Sequence, residues 1–345
     1  MKKFRYLVPI ILLAYIFLGG CKKTNPGDTT PKPILNATYA KGADISWLTE
    51  MEASGKKFYN SAGVEQDCFD LLKSKGINSI RLRVWVNPVD GWNNKADVVA
   101  KANRANNKGM RIMIDFHYSD TRADPSHQTK PVAWTNLDIV TLKQAVYDHT
   151  YDVLNTLKQN GVNPEWVQVG NETDNGLLWP TGLLSGVNGP VSYATLINSG
   201  YDATKAVNSG IKVIVHVSNG YDNSLFRWNF DALKNNGGKW DIIGMSVYPD
   251  ASYNDYLNSL FININDMIAR YSKPVMVSEV GMDVSNAAGC KAMLTDLMTR
   301  SASLDQNFLG VFYWEPEAYS WNNYSKGAFD NTGKPTIAMD AFLLN

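Results

Sequence analysis

Short apolar runs bounded by turn residues recur eight times along the chain. They span Gly42–Leu48, Ile77–Val86, Arg111–Ser119, Trp166–Glu172, Lys212–Asn219, Asp241–Pro249, Pro274–Gly281 and Phe308–Glu315. Successive runs start about 38 residues apart, the length of a strand, a loop and a helix. Helical periodicity fills the gaps. It predicts a helix over Gly63–Lys75, with Val64, Phe69, Leu71 and Leu72 on its apolar side and Gly76 as its stop. Further helices are expected over Lys95–Lys108, Leu137–Gln159, Asn254–Arg270 and Ala287–Arg300. Such alternation implies parallel strands joined by right-handed crossovers. A doubly wound open sheet fits the alternation too. Against it, no glycine-rich phosphate loop follows the first strand, and eight units in one domain favour a closed α/β barrel.

The N-terminus stands apart from this pattern. Lys2, Lys3 and Arg5 precede a twelve-residue apolar stretch, Leu7–Leu18, which is too short to span a bilayer comfortably. Leu18-Gly19-Gly20-Cys21 has the form of a bacterial lipobox, with cleavage before Cys21 and lipidation of that cysteine. Residues 1–20 are therefore expected to be a lipoprotein signal peptide. Residues 21–38, rich in Pro, Thr and Lys, form a flexible tether, and 39–345 make a single catalytic domain. The protein is expected to be exported and lipid-anchored to the cell envelope, at the outer membrane or cell surface, rather than to cross the membrane. With 33 basic and 33 acidic residues the formal charge is zero, which removes any electrostatic reason to expect nucleic acid as a partner. Nothing demands an oligomer, so a monomer is expected. Cys68 and Cys290 fall on helices that would not be neighbours in an eight-fold ring, which predicts two free buried thiols rather than a disulfide. The four His and three Cys show no metal-ligand spacing, so no metal or cofactor is expected.

Polar residues gather at the C-terminal ends of the runs. They are Asp44 and Trp47; Arg83 and Trp85; Asp115, His117 and Tyr118; Asn171 and Glu172; His216 and Asn219; Tyr248; Glu279; and Trp314 with Glu315. In a barrel that end carries the active site. Two long loops, Asp120–Asn136 with Trp134 and Thr173–Val191 with Trp179, belong to the same face. Glu172 and Glu279 end the fourth and seventh strands and would face each other across the barrel mouth. Buried carboxylates are costly unless paired or used, and two of them facing one another form the arrangement that cleaves glycosidic bonds. Glu279 is the expected nucleophile and Glu172 the expected general acid, then base. Arg83 is expected to hold Glu279 ionised, Tyr248 to donate a hydrogen bond to it, and Asn171 to bind the sugar hydroxyl beside the reacting carbon. Asp44, Trp85, His117, Tyr118, Asn219 and Trp314 are supporting or substrate-binding candidates, with Trp314 as a platform for a sugar ring. Taken singly, Glu172 could cap a helix, Glu279 could form a structural ion pair and His117 could be a satisfied core histidine; Glu315 is expected to be structural.

The segments Lys41-Gly42-Ala43-Asp44-Ile45-Ser46, Ile80-Arg81-Leu82-Arg83-Val84-Trp85-Val86, Asp115-Phe116-His117-Tyr118-Ser119-Asp120, Gly170-Asn171-Glu172 and Tyr313-Trp314-Glu315-Pro316 closely resemble glycoside hydrolase family 53, the bacterial and fungal endo-β-1,4-galactanases. The resemblance runs from about Ala40 to near the C-terminus. It implies a TIM barrel, with retaining, endo-acting cleavage of β-1,4-galactan, the neutral side chain of type I arabinogalactan. It also places the family's acid/base on Glu172 and its nucleophile on Glu279. Two stretches depart from the family. Around Asn219 the acidic residue common in relatives is missing. After Glu279, Val280–Asn286 lacks the Asp/Asn/His-rich calcium loop of many bacterial relatives, so calcium is not expected. Two other readings use the same residues: a barrel glycosidase acting on mannan or glucan, and a surface lipoprotein that binds glycan without cutting it.

Overall fold

The computed structural model describes Met1 and residues 35–344. Cys21, the expected signal segment beyond Met1, and most of the tether lie outside the described residues. Eight strands form the centre: β1 (Ala40–Asp44), β2 (Ser79–Val84), β3 (Arg111–Phe116), β4 (Trp166–Val169), β5 (Lys212–Val217), β6 (Ile242–Val247), β7 (Val275–Val280) and β8 (Phe308–Trp314). Each pairs in parallel with the next, and β8 returns to β1, so the sheet closes into a TIM barrel. Around it lie α1 (Leu48–Ala53), α2 (Cys68–Ser74), α3 (Lys95–Asn107), α4 (Ile139–Gln159), α5 (Gly189–Val207), α6 (Asn223–Asn235), α7 (Tyr253–Tyr271) and α8 (Ala287–Ala302).

Helix starts follow local capping chemistry. Asn94, Asp138 and Asp222 each accept the backbone N–H three residues on, opening α3, α4 and α6. Helix α2, expected over Gly63–Lys75, is shorter than its apolar pattern predicts. Asp67 caps it by accepting from Asp70 N–H, so it opens at Cys68, while Tyr59 and Glu65 pair across a small turn. The Thr173–Val191 stretch contains a two-stranded turn, Gly176–Leu177 with Gly182–Leu183, before α5 begins. Cys68 and Cys290 are both free and buried, as their ring positions require.

Alternation along each strand sorts residues between two cores. Outward positions pack against the helices. Inward positions at the N-terminal end of the barrel form a small apolar plug of Ala40, Met113, Trp166, Ile214, Ile242, Met276 and Phe312. Two residues further along the same strands, the inward positions turn polar: Asp115 after Met113, Gln168 after Trp166, His216 after Ile214. The plug excludes water from below, and the polar layer above it builds the site.

One irregularity decides where the carboxylate of the seventh strand points. Val275, Val277 and Val280 all pack outward, a spacing that strict alternation forbids. Val277 pairs with Met245 but Glu279 pairs with Ser246, so Ser278 is an extra residue in β7, a β-bulge. The same extra residue appears against β8, where Val311 and Tyr313 match Val277 and Val280. Without the bulge Glu279 would share the outward parity of Val275 and Val277. With it, Glu279 turns into the barrel. Gly244 on β6 makes room: a Cβ there would sit 2.7 Å from Ser278 Oγ and 2.8 Å from Ile214.

Candidate active site

Arg81 on β2 is the hub of the polar layer. It is fully buried, and its guanidinium reaches Asp44 Oδ2 (2.7 Å), Asp115 Oδ2 (2.8 Å), Asn171 Oδ1 (2.9 Å) and Gln168 Oε1 (3.2 Å). It also forms an ion pair with Glu279 Oε1 at 3.0 Å. The expectation that Arg83 would hold Glu279 is therefore corrected. Arg81 and Arg83 share the inward face of β2 but lie one layer apart, and only the deeper one reaches the barrel centre. Arg83, nearer the mouth, pairs with Glu315 Oε1 at 2.5 Å. Glu315 also accepts from Trp47 N–H and is buried, the structural role its position implied.

The second oxygen of Glu279 accepts a hydrogen bond from Tyr248 Oη at 2.8 Å, as anticipated. Burial pushes the Glu279 carboxyl up to about 7, while Arg81 and Tyr248 pull it down. Glu172 lies after the end of β4 in a left-handed conformation (φ 44°), uncommon for a residue with a Cβ. Gln128 fixes this backbone by donating to Asn171 O at 2.8 Å and Glu172 O at 3.3 Å. Glu172 Oε1 lies 2.6 Å from Ser246 Oγ. Burial, and then the charge of Glu279, hold the Glu172 carboxyl well above the usual carboxylate range. Two neighbouring carboxyls thus differ in their partners: Glu279 has a cation and a phenol, Glu172 a lone hydroxyl.

Both glutamates line a cleft of about 840 Å³ with Trp47, Arg83, Trp85, His117, Asn171, Tyr248, Trp314 and Tyr324. A further groove of about 780 Å³ continues past Glu172 between Asn219, Tyr221, Tyr248, Asp250 and Tyr256. Trp47, Trp314 and Tyr324 pack edge to face, with centroids 4.7–5.8 Å apart, and Arg83 lies over the Trp47 ring at 5.1 Å. This gives a rigid aromatic wall of the kind that stacks on sugar rings. Trp85 lies beside His117, whose Nδ1 accepts from Ala123 N–H at 2.8 Å. The ring hydrogen therefore sits on Nε2 and is donated to Asp115 Oδ2, also at 2.8 Å.

The other candidates separate clearly. Asp44 is fully buried and supports from beneath, with Oδ1 accepting from the N–H and Oγ of Ser46. Asn171 Oδ1 is shared among Arg81, Gln168 and His216 Nδ1 and one N–H goes to Ala123 O, which leaves one N–H for a ligand. Asn219 is exposed in the outer groove and donates to Ser218 Oγ. Tyr118 is a correction. It is fully buried, its hydroxyl pairs with Thr150 on α4, and its ring packs on Phe116 and near Trp134 and His149. Alternation from inward His117 sends it into the helical shell. Trp134 shares that shell, and Trp179 ties the two loops by donating its backbone N–H to Gln128 O while its ring N–H stays on Asn175 O of its own loop, so neither lines the cleft. Arg81, Gln128, Gln168, Ser246 and Tyr324 were not singled out beforehand. Of these, Arg81 had a signal, an inward parity shared with Arg83.

The Glycosyl hydrolase family 53 model matches residues 40–342. An uncharacterised Niallia circulans protein is 40% identical over 69% of this chain, which covers 66% of that protein. The probable arabinogalactan endo-beta-1,4-galactanase A of Neosartorya fischeri is 35% identical, over 80% of this chain and 83% of its own length. A solved fungal beta-1,4-galactanase superposes with a TM-score of 0.81 at 31% identity, covering 89% of this chain and 99% of its own. With the family match spanning nearly the whole described domain, the chain belongs to glycosyl hydrolase family 53.

Proposed function

We propose that this chain is a retaining endo-β-1,4-galactanase in which Glu279 is the nucleophile and Glu172 the acid, then the base. The observation that carries the assignment is the asymmetry of the two carboxyls. Arg81 and Tyr248 grip both oxygens of Glu279 and favour its anion. Glu172 faces the same cleft with no cation on it, and its proton is retained by burial and by the neighbouring charge. In the first step a Glu279 oxygen bonds to the anomeric carbon. Glu172 gives its proton to the glycosidic oxygen, which leaves with the electron pair of the broken bond. Esterification removes the charge that raised Glu172, which then takes a proton from the water attacking the same carbon. Two inversions give retention.

The substrate reading rests on the family and on its named galactanases, together with a cleft walled by Trp47, Trp314 and Tyr324 that extends beyond the reacting groups on both sides. An open groove suits attack within a polymer. Product analysis over time on galactan tests it: a spread of intermediate oligosaccharides is expected, and a single small product from the start would mean exo attack. Glu279→Gln should abolish turnover while galactan still retards the protein in an affinity gel, and equal activity in variant and wild type would overturn the mechanism. Cleavage of mannan or glucan with galactan left intact would overturn the substrate.

The lipobox ending at Cys21 supports a lipid-anchored enzyme working on neutral polysaccharide at the cell envelope. Incorporation of labelled fatty acid into the wild type but not into Cys21→Ala tests that.

A further inference from the structure

The hydrogen-bond partners around Glu172 can be given directions from one fixed point. Arg81 cannot accept a hydrogen bond, so the Asn171 atom 2.9 Å from it is the carbonyl oxygen, Oδ1. That oxygen lies 3.0 Å from His216 Nδ1, which must therefore carry a hydrogen. His216 is fully buried on β5, with Arg81 on β2, Asp115 on β3 and His117 just after β3 around it. Burial, followed by the Arg81 charge, keeps the ring neutral. A neutral ring protonated at Nδ1 leaves Nε2 bare, and Nε2 lies 2.9 Å from Ser246 Oγ. Ser246 must donate there. It then has only lone pairs to offer Glu172 Oε1 at 2.6 Å.

We infer that Ser246 and His216 form a polarised relay, Glu172 O–H to Ser246 O–H to His216 Nε2, which holds the catalytic proton on Glu172. The relay rests on the assignment of Glu172 as the acid/base and deepens it. Ser246 and His216 are positioning residues, acting on substrate only through Glu172. The other groups facing Glu172 are Glu279 from β7, Arg81 from β2, Asp174 from the loop after β4, and the phenols of Tyr248 and Tyr256. Glu279 and Asp174 favour the protonated form; Arg81 opposes it, as would a Ser246 hydroxyl that donated to the anion instead of to His216. The relay adds a directional preference that burial alone lacks. If Glu172 ionises, Ser246 must turn its hydrogen away from His216, leaving Nε2 unpartnered in a dry interior. The acid form is favoured before glycosidic cleavage, and the same bias makes the anion a better base toward water afterwards.

The test is the pH profile of kcat/KM on a soluble aryl β-galactoside oligomer, where the alkaline limb reports Glu172. In His216→Phe the serine hydroxyl is released to donate to the carboxylate, so the alkaline limb should fall by about one pH unit, the size of one hydrogen bond changing sides. The acid limb should stay in place. His216→Gln, which can donate to Asn171 and accept from Ser246, should restore the limb. Ser246→Ala should also lower it, whereas a serine that simply donates to Glu172 would make its removal raise the limb. In the unmodified enzyme, nitrogen NMR should find His216 protonated at Nδ1 alone, and an Nε2–H tautomer would overturn the relay whether or not the variants fold. Failure of the relay is separable from failure of the acid/base assignment. The latter would show as a Glu172→Ala variant with undiminished turnover and no rescue by azide. An unmoved limb in His216→Phe beside an inactive, azide-rescued Glu172→Ala overturns the relay alone.

Discussion

Tyr248→Phe isolates the hydrogen bond that helps keep Glu279 ionised. The phenol donates to the buried Glu279 at Oε2, 2.8 Å away, while Arg81 holds the other oxygen at 3.0 Å. Hydrogen bonds to a charged group contribute about 1.5–3 kcal/mol, and one pK unit corresponds to about 1.4 kcal/mol. Removing the hydroxyl should therefore raise Glu279 by about 1–2 units above its already elevated value near 7. The sign is unambiguous, because the hydroxyl hydrogen favours only the anion. The acid limb of kcat/KM should move toward higher pH, with a loss of about tenfold or more below the limb. The alkaline limb should hardly move, since Glu172 has no hydrogen bond to Tyr248. Profiles on a soluble aryl substrate across pH 5–10, with a thermal melt at each end to exclude unfolding, would measure it. An acid limb that stays in place or moves down would refute the assignment of Tyr248 and Arg81 as the groups that ionise Glu279.

Two further outcomes follow from buried charge. Arg81→Met should leave Asp44, Asp115 and Glu279 without their shared cation and cost about 3–5 kcal/mol of stability in urea unfolding; a loss below about 1 kcal/mol would contradict its role as hub. Glu317→Gln should stabilise the enzyme at neutral and alkaline pH. Glu317 is fully buried beside Glu315, and burial followed by the charge of Glu315 holds its carboxyl well above the usual range. The folded state thus retains a proton that the unfolded state releases. Wild-type stability should fall as pH rises above the ordinary glutamate range until the folded carboxyl ionises. The variant lacks that slope, so its melting temperature should exceed the wild type's by a few degrees at pH 8 and converge on it near pH 4.

The barrel was readable from the period of its apolar runs, and the two glutamates from their places at strand ends. Strand spacing set the count, and polar strand ends marked the mouth. What escaped was depth and parity. Arg83 looked like the partner of Glu279 because it is nearer the strand end, yet a side chain one layer down reaches the centre that every strand approaches. Tyr118 sat in a polar string, but its neighbour His117 is inward, so it had to point out. Glu279 was placed correctly although strict alternation with Val275 and Val277 would have turned it outward. The Ser278 bulge that rescues it has no marker in the sequence except the room left by Gly244 on the adjacent strand. Ser246 carries no mark in the sequence, since the relay inferred for it depends on directions of hydrogen bonds that only coordinates reveal.

The two acidic pairs of this barrel obey one electrostatic rule. At the centre a single arginine serves Glu279, and the neighbouring Glu172 keeps its proton. At the end of β8 a single arginine serves Glu315, and the neighbouring Glu317 is driven well above the normal range. In each case burial removes the water that could stabilise two anions, one cation can neutralise only one of them, and the second carboxyl is left as an acid. The difference lies in access. Glu317 is sealed, so its proton can only burden stability as pH rises. Glu172 opens on the cleft, where the proposed mechanism passes a proton held by the same physics to a glycosidic oxygen.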